Sequence, residues 1–206
     1  MYGTINNGTS TTFTAGDNIA ATGTGNTLNL SDNGSAGSNY TLNTSATVSG
    51  IQTLVLNSGE ALTFNAKTAN AGFTGLTQLT ATTVTGGAAA TNADTITAGS
   101  TVNVTVTDTA ASTTGNTKAG GVTVNGGNNI SVTENGSTTT ASAIQVGGTT
   151  STNNPAGTIT VSVTGTGNTT VATDGGTGTT VTDSQSGAVT IGACHFSPQW
   201  RHQFSA

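Results

Sequence analysis

This chain consists largely of short segments in which every second residue is apolar. Residues 102–106 and 159–163 are two examples, with Val or Ile at alternate positions. Comparable runs occur at 28–30, 62–64, 122–124, 130–132, 144–146 and 189–191. Clusters of Gly, Asn, Ser and Thr separate these segments and suit tight turns. Because alternation places the apolar side chains on one face of a strand, the pattern predicts an all-β chain of irregular short strands.

The composition favours a thin, folded core. Only 32% of the residues are hydrophobic and 4% are aromatic, whereas 50 are threonine. Branching at Cβ makes Thr and Val strand formers. A formal net charge of −5 and two prolines do not match the usual composition of a disordered segment. We therefore expect folded strands with little interior volume to fill.

Internal repetition favours stacked coils. Residues 48–54 return 25 positions later as residues 73–79, with a shared apolar, Ser/Thr, Gly, Ile/Leu and Leu frame. In the second half, Gly121, Gly157 and Gly187 open similar segments 30 to 36 residues apart. Two further segments, 132–136 and 172–176, resemble each other at an offset of 40. Units of this size that each contribute small strands are typical of solenoids.

The predicted fold is therefore a β-solenoid, similar to a β-helix. A β-sandwich is the alternative, since short strands with turns at intervals of about 8 to 15 residues fit that architecture too. We expect one repeat domain over residues 1–192, with a sub-boundary near residues 110–120 where the repeat length changes. One cysteine excludes an internal disulfide.

The last residues differ abruptly from the rest. Residues 194–206 contain the single Cys, the single Trp, the single Arg and both His residues. Cys194, His195 and His202 are three residues of metal-binding types, but a structural zinc site needs a fourth ligand. We interpret residues 193–206 as a tail that is flexible or foreign to the repeat domain. A docking segment is the alternative, because Arg and aromatic residues are enriched at interfaces.

Charge and residue type exclude several functions. Three Lys and Arg residues in all, with an isoelectric point near 4.4, leave little to neutralise phosphates, so nucleic-acid binding is not expected. No apolar run approaches the roughly 20 residues that span a bilayer. The eight acids are scattered, and basic and aromatic residues that would hold a sugar are scarce. We predict no enzymatic activity and no cofactor, with a polysaccharide-active solenoid enzyme as a remote alternative.

Residues 48–56, 100–108 and 157–163 resemble the Thr/Gly/Asn/Val-rich repeats of bacterial S-layer proteins. They are also similar to repeats of large surface proteins that type I secretion exports with RTX toxins. The resemblance covers about residues 1–192. It implies a secreted, extracellular protein of the bacterial cell surface, with a structural or adhesive role, a β-solenoid fold and often bound calcium.

The calcium motif of the RTX family is incomplete here. Its nearest match is residues 175–183, and Thr180 stands where that family has a ligand aspartate. Calcium prefers several oxygen ligands with carboxylates among them. Asp174 and Asp183 are the two candidate metal ligands, and the chain has no tandem copy of the motif to complete a site.

We predict a structural repeat segment that acts by stacking and self-association with neighbouring copies. An adhesin module that binds carbohydrate or another cell-surface ligand is the alternative. Ice binding is a third hypothesis, because Thr105 and Thr107, or residues 138–140, supply Thr pairs of the kind that a regular ice-binding face needs. The apparent repeat spacing of about 25 to 40 residues counts against that regularity.

Overall fold

A computed structural model describes residues 1–5, 10–42, 45–67, 73–86, 92–110, 120–136 and 142–192, and the backbone of residues 203–205. The described residues form strands, turns and short 3-10 segments such as Ser151–Asn153. None of their helical segments is long and apolar enough to cross a membrane. In chain order the strands are β1 (Tyr2–Thr4), β2 (Asn18–Ala20), β3 (Thr27–Ser31), β4 (Asn39–Thr41), β5 (Thr47–Ser49), β6 (Thr53–Asn57), β7 (Ala61–Asn65), β8 (Phe73–Thr74), β9 (Gln78–Thr85), β10 (Asp94–Ala98), β11 (Asn103–Ala110), β12 (Gly121–Gly126), β13 (Ile130–Gly136), β14 (Ser142–Val146), β15 (Thr158–Gly165), β16 (Thr169–Thr173), β17 (Gly178–Asp183), β18 (Val189–Ile191) and β19 (Gln203–Ser205).

The strands form three parallel sheets around one core. The long sheet has the order β1-β3-β6-β9-β11-β13-β15-β17-β19, and the second sheet has the order β18-β16-β14-β12-β10-β7-β4. A short sheet, β2-β5-β8, adds a third side to the early coils. Consecutive strands lie in different sheets, and each strand pairs with the strand one coil earlier or later. This arrangement is the predicted β-solenoid, and its parallel pairing excludes the antiparallel β-sandwich.

The strand register defines the length of each coil. In the long sheet Leu28 pairs with Leu54, Leu54 with Leu79, Leu79 with Val104, and Val104 with Ile130. The steps along the chain between these partners are almost equal, so the early coils have nearly the same length.

The later coils are less uniform. Ile130 pairs with Ile159, and Ile159 pairs with Thr179. The first of these coils is longer than the early coils and the second is shorter, although the strands remain paired throughout.

The register confirms one predicted repeat. Val48 pairs with Phe73 and Leu54 with Leu79, so the echo of residues 48–54 in residues 73–79 is one full coil. The interpretation of the other sequence repeats as successive coils was wrong. Gly121 opens β12 in the second sheet, whereas Gly157 precedes β15 in the long sheet. Likewise, residues 132–136 lie in β13 and residues 172–176 begin in β16, on different sheets. Strands of both sheets carry the same Val/Thr alternation because both pack on the same core.

The sheets continue across the segment where we predicted a sub-boundary. Strands β10 and β12 pair with each other, and so do β11 and β13. The sub-boundary near residues 110–120 stays a prediction. The short sheet has its last described strand at β8, so the third side belongs to the early coils.

The early coils, which include the strands of the short sheet, hold the aromatic part of the core. Phe73 packs against Phe13, with ring centroids 6.1 Å apart, and edge-on against Phe64 at 5.4 Å. Residues 10–13 fold back along β1, where Thr12 N donates to Thr4 O at 3.0 Å. This segment covers the end of the early coils and buries Phe13.

The core of the later coils is formed mainly by Val and Ile. Within the tail, β19 pairs in parallel with β17, opposite residues 180–182. Residues 193–202 and 206 lie outside the described residues, so the interpretation of the tail stays a prediction.

Candidate functional site

The two candidate metal ligands, Asp174 and Asp183, lie at the ends of strands in different sheets. Asp174 follows β16 in the second sheet, and its N–H donates to Val146 O at 2.8 Å. Asp183 ends β17 in the long sheet, where its carboxylate accepts a hydrogen bond from Gln185 N at 2.9 Å. In the described part of the chain, no three or more His, Cys, Asp or Glu residues are grouped to hold a metal. A calcium site at Asp174 and Asp183 stays a hypothesis, and Cys194, His195 and His202 lie outside the described residues.

The structure instead brings three acids together inside the solenoid. Asp94 on β10, Asp108 on β11 and Glu134 on β13 all have 0% exposed surface. Each occupies an inward position of an alternating strand. Asp108 and Glu134 are paired residues of neighbouring strands, and Thr83 is the partner of Asp108 on the other side. We call Asp94, Asp108 and Glu134 the interior carboxylates.

Hydrogen bonds satisfy two of the interior carboxylates. Asp94 Oδ1 accepts from Leu62 N at 2.8 Å, and Thr83 Oγ1 donates to Asp94 Oδ2 at 2.5 Å. Thr85 donates to Asp108 through its N–H at 3.0 Å and through its hydroxyl at 2.5 Å. The inward threonines therefore serve as donors to buried carboxylates, and the bond from Thr83 to Asp94 links the long sheet to the second sheet.

Glu134 differs from the other two. Neither of its carboxylate oxygens has a hydrogen bond of standard geometry within the described residues. An ionised carboxylate without donors in an apolar interior is strongly destabilising, so the group holds a proton instead. Its proximity to Asp108 adds to that effect, because two neighbouring carboxylates do not both ionise readily.

The pKa values of the interior carboxylates are accordingly raised. Burial, followed by the charge of Asp108, raises the pKa of Asp94 to about 8, although donors from Thr83 and Leu62 partly offset it. Burial and the neighbouring Asp108 raise the pKa of Glu134 to about 10. Burial also raises the pKa of Asp108, against the opposing effect of the neighbouring Glu134 carboxyl and of the hydrogen bonds that Thr85 donates.

The interior carboxylates have no exposed surface through which to contact a substrate. Their chemistry is the storage of protons inside the core, and this links folding to pH. Sequence reasoning counted these acids as scattered. Their position in the alternation was the available signal. Asp108 continues the series of every second residue that begins with Val104 and Val106, so it lies on the same face of the strand as these core residues.

Hydroxyl side chains cover the opposite, outer surface of the long sheet in two ranks. From β9 to β17, five consecutive strands each present Thr or Ser at two outward positions that flank one inward Ala or Val. The register aligns these pairs without a slip. We call this surface the outer threonine face. Its first rank is Thr80, Thr105, Ser131, Thr160 and Thr180, and its second is Thr82, Thr107, Thr133, Ser162 and Thr182.

Thr105 and Thr107, predicted from the sequence as an outward pair, lie at the second strand of this face. Residues 138–140, the other predicted pair, lie outside the described residues. Sequence reasoning missed the other eight members because their alignment depends on the register.

Compared with protein-family models, with curated proteins and with solved structures, the chain gives no match. The similarity to S-layer and RTX-associated repeats stays a prediction from the residues. A functional proposal for this chain therefore depends on its own geometry.

Proposed function

We propose that this chain is a non-enzymatic structural segment of a bacterial cell-surface protein, either S-layer-like or part of a large secreted repeat protein. It acts outside the cell by stacking coils and by self-association. The observation that carries the proposal is the continuous parallel pairing along the solenoid, which leaves strand edges at its ends. An open strand edge is a template for another strand.

Among the described strands, the edge at β18 is more open than the edge at β1. Ala188 O accepts from Thr169 N at 3.0 Å, and Gly192 N donates to Val171 O at 2.8 Å. Peptide groups alternate in direction along a strand, so those of Val189 and Ile191 face away from β16. Among the described strands β18 is terminal in the second sheet, and Ile191 is 38% exposed.

The opposite end is partly covered. Thr12 occupies both backbone polar groups of Thr4: Thr4 N donates to Thr12 Oγ1 at 2.8 Å, and Thr12 N donates to Thr4 O at 3.0 Å. Pairing with another strand at β1 would require residues 10–13 to move. We therefore assign the principal contact between copies to the edge of β18, where low net charge adds little repulsion.

Replacing Ile191 with proline tests this assignment. Ile191→Pro removes an N–H that faces away from β16, so it should leave the solenoid folded and abolish concentration-dependent association. Ile191→Ala keeps the N–H and should retain association. Light scattering coupled to size-exclusion chromatography measures the mass, and far-ultraviolet circular dichroism checks folding of both variants.

Equal association of the wild type and a folded Ile191→Pro variant would contradict the role of this edge. A wild-type chain that stays monomeric at every concentration would contradict self-association itself. That second outcome would favour the adhesin alternative, in which the chain binds a carbohydrate or another surface ligand as a monomer.

A further inference from the structure

We infer that the outer threonine face is an ice-binding surface. The face combines a regular two-dimensional array of ten hydroxyl groups, eight of them on threonines that also carry a methyl group, with the absence of charge in all ten residues. This inference goes beyond the structural role proposed above and does not depend on it.

The spacing of the array is set by the strands themselves. Neighbouring strands lie about 4.8 Å apart, and residues i and i+2 of one strand lie about 6.7 Å apart. The oxygen repeats on prism planes of hexagonal ice are close to these two distances. Five strands of two residues thus present a patch on which water can take up ice-like positions in both directions.

Variation in coil length does not disturb this array. The coils between β9 and β17 differ in length, yet Thr80, Thr105, Ser131, Thr160 and Thr180 remain paired in one rank. The connecting segments absorb the differences, whereas the hydrogen-bonded register keeps the strands aligned. The sequence-based objection from irregular spacing is therefore wrong for this face.

Threonine suits such a surface for physical reasons. Its branched Cβ restricts χ1, so hydroxyl and methyl groups repeat from strand to strand. Thr105 Oγ1 accepts from Gln78 Nε2 at 3.4 Å, and no other side-chain hydrogen bond of the ten residues is found within the described part of the chain. The hydroxyls are therefore available to ordered water, which can bridge polar groups at little free-energy cost.

The outer surface of the second sheet lacks this regularity and supplies a control. There Thr63, Thr95 and Thr123 are aligned, but the next two residues of the rank are Gln145 and Ala172. Thr95 is exposed within its strand, as Thr107 is in the outer threonine face. Substitutions at these two positions are therefore matched in exposure and strand context.

The test grows ice slowly from a dilute solution of the full chain and measures the fraction of protein taken into the ice. Thermal hysteresis is measured on the same samples. We expect the wild type and Thr95→Lys to be taken into the ice. We expect Thr107→Lys to bind ice about tenfold more weakly, equivalent to about 1.4 kcal/mol of binding free energy, and its ice uptake should fall accordingly. Circular dichroism confirms that both variants are folded.

Exclusion of the wild type from ice, at the level of a non-binding control protein, would overturn the inference. Equal losses in Thr95→Lys and Thr107→Lys would also overturn it, because the effect would then not belong to the outer threonine face. A Thr107→Lys variant that loses self-association but keeps its ice uptake would overturn it as well, and would identify this face as a contact between copies.

Discussion

The free energy of unfolding of this protein should fall by several kcal/mol as the pH rises from about 5 to about 9. The pKa of Asp94 is raised to about 8 and that of Glu134 to about 10, from ordinary values of 3.8 and 4.5. At a pH above these ordinary pKa values, the unfolded chain releases the two protons, whereas the folded chain keeps them. Each retained proton therefore lowers stability by about 1.4 kcal/mol per pH unit.

The direction of this effect follows from the burial of the acids. Their contribution is fully present below about pH 4 and is lost as the pH rises through the two folded-state pKa values. Urea unfolding at a series of pH values, followed by circular dichroism, measures the slope. A stability that stays level or increases over this range would contradict protonated interior carboxylates.

Two amide variants separate the contributions. Asp94→Asn should make the slope shallower only up to about pH 8, whereas Glu134→Gln should make it shallower up to about pH 10. Both amides keep the size of the original side chains, so packing changes little. Slopes identical to that of the wild type in both variants would show that other groups cause the pH dependence.

Replacement of Gly50 with alanine should destabilise the solenoid far more than the same change at Gly75. The two glycines occupy equivalent positions one coil apart, two residues after the paired Val48 and Phe73. Both have a positive φ, +68° at Gly50 and +85° at Gly75, which costs an L-residue about 1–2 kcal/mol. The backbone penalty is therefore shared by the two variants.

Only Gly50 has a neighbour in the way. A Cβ at Gly50 would overlap the carbonyl oxygen of Ala21 in the preceding coil, whereas a Cβ at Gly75 would meet no described atom within 4 Å. We expect Gly75→Ala to cost about 1–2 kcal/mol. Gly50→Ala should cost at least about 2 kcal/mol more, because backbone atoms must move. Urea unfolding of both variants measures the difference, and equal costs would contradict the close approach of these coils.

The buried face of each strand and the length of one coil could be predicted from the sequence. Alternation alone predicts which face of a strand is buried, as Val104 and Val106 show. The repeat of residues 48–54 in residues 73–79 gave the length of a coil, because both segments contain the turn that follows a strand of the short sheet, at Gly50 and at Gly75. The later repeats were misread, since alternation does not tell which sheet a strand joins.

The candidate sites required the three-dimensional register. Asp108 and Glu134 have the parity of core residues, but they lie a full coil apart along the chain, and only pairing of β11 with β13 makes them neighbours. The same is true of the outer threonine face. Coils of unequal length hide its alignment in the sequence, because loops can change length while paired strands cannot slip without turning their side chains over.

Sedimentation velocity of the full chain over a wide concentration range, with and without calcium, tests the self-associating structural role most directly. We predict that the 19.9 kDa chain grows into larger species as its concentration rises, with a strand-rich circular dichroism spectrum throughout. Dependence of that growth on calcium would support Asp174 and Asp183 as ligands. A single monomeric species at all concentrations, in both conditions, would contradict the proposed function.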